Sequence, residues 1–221
     1  MRINKFVASA TGMSRRAADA AIAEGRVALN GKPIQLGDQV GDTDVVTLDN
    51  QPLLRAPETV TIMINKPVGY VVSRNGQGAP TVYSLLPEEY QHLKAVGRLD
   101  KDSSGLLLLT NDGDLANELT HPRYSKTKVY EITLDKPLQP LHQQMISDHG
   151  IKLEDGVSQL GLEKIDDQGR QLRVTMHEGR NRQIRRTFEA LGYKVTKLHR
   201  THFGPYSLSQ IAATQRFSII N

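Results

Sequence analysis

Four consecutive leucines, Leu106–Leu109, follow directly on a mostly polar stretch, Gly97-Arg98-Leu99-Asp100-Lys101-Asp102-Ser103-Ser104-Gly105. An uninterrupted apolar run closed by Thr110 and the turn Asn111-Asp112-Gly113 reads as a strand buried on both faces. The polar residues before it must then form a loop held against the core. Charged loops anchored to apolar strands are where proteins commonly place chemistry.

With 221 residues the chain accommodates one large domain, or a small domain and a medium one. Hydrophobic residues at 38% and charged residues at 24% are ordinary for a soluble globular protein. The leucine run is far too short to span a bilayer, and Met1-Arg2-Ile3-Asn4-Lys5-Phe6 lacks the apolar core of a secretory signal. No membrane partner is expected. The absence of cysteine excludes disulfides, thiolate catalysis and zinc–cysteine sites, and it fits a cytoplasmic protein. The net charge of +4 is unevenly spread. Residues 1–32 carry six basic against two acidic side chains, and residues 170–200 carry nine against two. Two local excesses in an otherwise balanced chain point to a polyanion, and together they favour nucleic acid.

Within residues 1–50, Phe6 and Val7 fall in a short helix ended near Gly12, and Ser14 caps a second helix running to about Ala23. Arg15 and Arg16 in its first turn oppose the helix dipole, a small cost better explained by contact with phosphate. Val27-Ala28-Leu29, Asn30-Gly31 and Lys32-Pro33-Ile34 spell a tight hairpin, and Val45–Leu48 a closing strand. Lys5-Phe6-Val7, Ser14-Arg15-Arg16, Gly25-Arg26-Val27, Asn30-Gly31 and Gly37-Asp38 together resemble the αL-type RNA-binding module shared with a small-subunit ribosomal protein. Residues 51–58, with two prolines and no periodicity, read as a linker.

Residues 59–221 then read as a second domain. Its strands are expected at Thr59–Ile64, Tyr70–Ser73, Lys128–Leu134, Leu172–Met176 and Val195–Leu198. Helices are expected at Asp114–Thr120, Pro140–Asp148 and Arg182–Leu191, the last with Ile184, Phe188 and Leu191 as its core-facing stripe. This succession predicts an α+β fold and not a regular βαβ alternation.

Several chemistries fail on the residues. Asp100, Asp102, Ser104 and Gly105 imitate the start of a calcium loop, but Asn111 stands where a bidentate Glu is needed. His199 and His202 lack further ligands at metal spacing, Gly76 and Gly78 lack a third glycine and a following helix, and no serine-hydrolase elbow or Walker loop occurs. What remains is an aspartate in a loop, a tyrosine on a strand and a basic helix. A shielded carboxylate stays ionised only beside a permanent cation, for which Arg182, Arg185 and Arg186 are candidates. An aromatic ring suits a base turned out of its stack.

Gly97-Arg98-Leu99-Asp100, Gly105 to Gly113, Lys128-Val129-Tyr130 and Glu178-Gly179-Arg180-Asn181-Arg182-Gln183-Ile184-Arg185-Arg186 resemble the ribosomal RNA pseudouridine synthases that carry an N-terminal αL-type module. The resemblance implies a mixed, largely antiparallel sheet flanked by helices behind a small helical and β-hairpin RNA-binding domain. It also implies isomerisation of a uridine in ribosomal RNA, large-subunit RNA being favoured over small-subunit RNA or tRNA, with neither metal nor organic cofactor. By the same resemblance Asp100 is the essential acid, Tyr130 stacks on the target base and Arg185 pairs with Asp100. Arg98 fills the gap left by the turned-out nucleotide, and Leu198 packs beside the base. Arg182, Arg186, Arg15 and Arg16 are expected to contact RNA. Structured RNA, as rRNA or an assembly intermediate, is the expected partner of a monomer. A non-catalytic RNA-binding or ribosome-assembly protein would use the same basic surfaces, but an acid among them would repel phosphate.

Overall fold

A computed structural model of the chain describes residues 1–54, 59–212 and 217–220. The chain divides into two units, Met1–Thr59 and Val60–Asn221.

In the first unit, helix α1 (Ile3–Thr11) stops where Gly12 turns left-handed at φ 77°. Helix α2 (Arg15–Ala23) begins at Ser14, whose hydroxyl accepts the Ala17 N–H at 3.1 Å. Strands β1 (Val27–Leu29) and β2 (Lys32–Pro33) are joined by Asn30 and Gly31 at φ 50° and 75°, the two positive angles that a tight hairpin turn demands. Strand β3 (Val46–Leu48) pairs with β1, and β4 (Gln51–Pro52) with β3, giving the order β2-β1-β3-β4. Ile3, Phe6, Val7, Ala21, Ile22, Val27 and Val46 form the buried centre. Arg15 and Arg16 are left exposed on the first turn of α2. The expected linker is corrected at its start, because Gln51 and Pro52 lie in register with Leu48 and Thr47. Proline is accommodated there because β4 is an edge strand. Residues 55–58 of that linker lie outside the described residues.

The second unit is built on β5 (Thr61–Lys66), β6 (Lys94–Val96), β7 (Ser104–Thr110), helix α3 (Gly113–Thr120), β8 (Lys128–Leu134) and helix α4 (Pro140–Gln144). It continues through β9 (Ile151–Leu153), β10 (Gly156–Ser158), β11 (Gly161–Lys164), β12 (Gln171–Met176), helix α5 (Gln183–Glu189), β13 (Val195–Phe203), β14 (Tyr206–Ser207) and β15 (Phe217–Ile220). Among the described residues one sheet runs in the order β11-β12-β8-β13-β7-β5-β15, with β14 beside β13 and β6 beside β7. The β7–β13 pair is parallel and the others are antiparallel. The α+β class and the largely antiparallel mixed sheet are as the sequence implies.

Strand β7 is the centre of this sheet. Leu107 and Leu109 enter one core with Ile62, Ile64, Ile132 and Phe188, while Leu106 and Leu108 enter the other with Met63, Val96, Leu119 and Phe203. Burial on alternate faces explains a run with no polar alternation. Four predicted elements differ. Tyr70–Ser73 forms no strand, only a single bridge from Val71 to Thr81, since Gly69 turns the chain away at φ 91°. The strand expected to end at Ile64 begins at Thr61 and continues to Lys66, a fully buried lysine. That expected at Val195–Leu198 extends to Phe203. The helix expected over Pro140–Asp148 gives way after Gln144 to a wider π turn, Met145–His149.

Candidate active site

Asp100 sits on the turn between β6 and β7. Leu99 is buried in the core beneath it, Ser103 N–H closes the turn on the Asp100 carbonyl at 3.1 Å, and Gly69 N–H is given to the Lys101 carbonyl at 2.7 Å. The turn is tied from below by Lys66. Its Nζ donates to the carbonyls of Ser103 at 2.6 Å, Asp100 at 3.0 Å and Pro67 at 3.0 Å. Burial brings the Lys66 pKa down to about 8, against the pull of the Asp100 and Asp102 charges. The sequence shows no sign of this anchor, because a lysine at the end of a β-branched run reads as the place where the strand stops.

Lys66, Gly105, Arg200 and Tyr130 lie in one row across β5, β7, β13 and β8. A side chain at Gly105 would run into the backbone of Arg200, with the Arg200 nitrogen 2.5 Å from an added Cβ, and Gly105 also holds φ 109°. The row thus depends on glycine at its crossing point. It places Tyr130, 7% exposed, on the strand next but one to β7, which the Asp100 turn leads into.

A cleft of about 920 Å³ opens over this row, lined among others by Arg98, Asp100, Tyr130, Arg182, Arg185, Leu198 and Arg200. Arg98 is exposed at its edge and Leu198 is buried in its wall. Two arginines of the basic segment reach the Asp100 turn, and their roles differ from those expected. Arg182, not Arg185, touches Asp100, its Nη1 lying 3.4 Å from Oδ2. The same guanidinium takes both oxygens of Asp102, at 3.2 and 3.3 Å. Arg185 gives Nη2 to the Asp102 carbonyl at 3.0 Å and lies 3.2 Å from its carboxylate, while Nη1 donates to the Val195 carbonyl at 2.6 Å. The backbone is the reason for the exchange. Arg182 adopts a left-handed φ of 46° just before α5, which carries its side chain back toward the turn. Partial burial would raise the Asp102 carboxyl, but the hydrogen bond from Arg182 and the charges of Arg185 and Arg182 hold it below its ordinary range.

Arg186 is the second correction. It does not line the cleft; its Nη1 and Nη2 meet the two oxygens of Asp155 at 3.0 and 2.7 Å, and its Nε meets the Asn181 carbonyl at 2.9 Å. Asp155 also accepts from Arg180 at 2.9 Å. These arginines fasten the β9–β10 hairpin to α5, so part of the basic excess that suggested an RNA surface is neutralised within the fold. Among the described residues no group of three or more His, Asp or Glu side chains is placed to hold a metal ion.

Residues 60–190 match the family model described as RNA pseudouridylate synthase, and residues 1–46 match the S4 domain. The chain belongs to the RNA pseudouridylate synthase family. Among its relatives, the ribosomal large subunit pseudouridine synthase B of Bacillus subtilis (strain 168) is 38% identical, over 91% of this chain and 85% of that protein. The dual-specificity RNA pseudouridine synthase RluF of Escherichia coli O157:H7 is 39% identical, over 96% of this chain and 72% of the other. A crystal structure of a pseudouridylate synthase superposes with a TM-score of 0.69 at 31% identity, covering all of this chain and 96% of that one. Membership gives the chain its reaction class. An S4-containing pseudouridine synthase detaches uracil from C1′ of a uridine, turns it and rejoins it through C5, and the C5 proton is lost as N1 gains one.

Proposed function

We propose that the chain converts a uridine of large-subunit ribosomal RNA to pseudouridine, in the cytoplasm and as a monomer. The observation that carries the reading is Asp100 itself, a partly exposed carboxylate facing a cleft whose other lining residues are mostly cationic, aromatic or aliphatic. A surface that only gripped phosphate would gain nothing from an acid at that point. The similarity to a large-subunit enzyme over most of both chains supports the choice of RNA. The supply of every cleft residue from Val60–Asn221 supports action by a single chain.

In this reading Asp100 delivers its carboxylate to the ribose, at C1′ or at the C2′ proton. Tyr130 stacks on the uracil and helps remove the C5 proton. Leu198 packs against the base and Arg98 fills the gap in the RNA. Arg182 and Arg185 hold the Asp100 turn and face the RNA, with Arg15 and Arg16 contacting structured RNA from the first unit.

Mapping pseudouridines by carbodiimide-dependent primer stops in a deletion strain tests the proposal. One large-subunit stop is expected to vanish and to return with the wild-type gene but not with Asp100→Asn, a loss of at least about 10³-fold in rate. The affinity of that variant for the RNA is expected to stay within about threefold of wild type, since no phosphate contact is removed. Full activity of Asp100→Asn overturns the assignment of the acid. A stop lost only from small-subunit RNA or tRNA overturns the choice of substrate.

A further inference from the structure

Two cations in the cleft wall have no part in the proposed chemistry. Lys128 stands two residues before Tyr130 on β8, so both side chains leave the same face of the strand. Arg200 is the direct cross-strand partner of Tyr130 and shares that face. Both cations also lie against the Phe203 ring, whose centre is 4.7 Å from the Arg200 guanidinium carbon and 5.4 Å from Lys128 Nζ.

Neither cation has a carboxylate within ion-pair distance among the described residues. Lys128 Nζ reaches only two carbonyls, those of Glu178 at 3.3 Å and Lys126 at 3.5 Å. Arg200 is 2% exposed and gives Nε to the Leu106 carbonyl at 2.8 Å, and its Nη2 has no hydrogen-bond partner. Removing a charge from water without a counter-ion is strongly unfavourable, and a second like charge nearby makes it worse. Burial and the Arg200 charge together push the Lys128 ammonium below the ordinary lysine range. Contact with the Phe203 ring offsets only part of this. An anion between the two cations would satisfy both, and in a nucleotide the base and sugar are neutral while the phosphodiester is not.

We propose that Lys128 and Arg200, both against the Phe203 ring in the cleft wall, form the seat for a phosphodiester of the nucleotide whose base lies on Tyr130. The seat rests on the reading of Tyr130 as the uracil platform. It gives Lys128 and Arg200 a binding role that draws the sugar toward Asp100, a contact distinct from the sequence-independent grip of the exposed arginines.

The test pairs a protein change with a substrate change. A hairpin RNA carrying the mapped uridine is made with a neutral methylphosphonate at its 5′ or its 3′ phosphate. Affinity and single-turnover rate are then measured for wild type, Lys128→Met and Lys128→Arg. Wild type is expected to bind one of the two modified RNAs about tenfold more weakly, the loss of one charge-assisted contact. Lys128→Met is expected to bind unmodified RNA about tenfold more weakly and to be indifferent to that methylphosphonate. Lys128→Arg restores sensitivity. Losses that multiply, or insensitivity of wild type at both phosphates, overturn the seat, because a merely structural lysine cannot abolish the effect of a charge on the RNA. If Lys128→Met does not fold, Lys128→Gln carries the same comparison. Product formation by wild type on unmodified RNA is scored first, so a failure of the pseudouridine reading appears there and a failure of the seat appears only in the comparison.

Discussion

Asp102 is the side chain on which the two basic residues converge, and its position explains why Asp100 is held so lightly. Its carboxylate and carbonyl absorb most of the donors of Arg182 and Arg185, leaving one contact of 3.4 Å to Asp100. Beneath both acids lies the buried amine of Lys66, and its burial makes a pH prediction possible. Folded Lys66 titrates near pH 8 and an unfolded lysine near 10.4. Between those values the unfolded chain binds more protons, so this residue makes stability rise with pH, and below pH 8 its full penalty applies. The stability gap between wild type and Lys66→Met, measured by urea unfolding, is expected to move by about 2 kcal/mol in favour of wild type from pH 7.5 to 9.5. A gap that does not change with pH sinks this account. That Asp100 and Tyr130 come together in one cleft is what the family resemblance implied. Which arginine would touch the acid was not legible in the sequence, since spacing along a helix says nothing of a left-handed residue at its start.

At the scale of elements, the crossing of β7 and β13 at Gly105 is the tightest point of the sheet. An alanine there meets backbone, which cannot swing aside, in a conformation that side chains rarely adopt. Gly105→Ala is expected to destabilise the second unit by about 3 kcal/mol or more, read as a large drop in melting temperature or loss of soluble protein. A variant that melts with wild type would show that the strands can part without penalty. Strand β7, helix α3 and the Asn30-Gly31 hairpin were readable because run length, the Asn111-Asp112-Gly113 turn and an Asn-Gly pair are local signals. Local signals also misled. Tyr70–Ser73 has strand composition but no neighbouring edge to pair with along its length, and β15 is a short run whose place is set by β5, far away in sequence.

The whole chain splits its basic charge between two units, and part of the charge in the second is spent on Asp155 and Asp102. In the proposed reading the exposed arginines of α2 add to the non-specific affinity for RNA. Removing Met1–Thr59 is expected to leave the second unit folded, because its two cores draw on residues from Val60 onward. The truncated chain is expected to bind structured RNA more weakly and with a shallower dependence on salt, by about one to two in the slope of log K against log salt. Filter binding across a salt series checks it, and an unchanged slope would remove α2 from the interface.

The parallel pairing that joins Ser104 to His199 has a consequence in time. The two residues are 95 positions apart, and closing so long a loop delays the pairing that depends on it. A chain still being synthesised carries Asp100 on the turn before β7 and Tyr130 on β8 with an empty lane between the two strands, and the lane fills only when β13 emerges. The cleft over the β5-β7-β13-β8 row therefore takes shape only after β13 has been made, long after the acid and the tyrosine beside it.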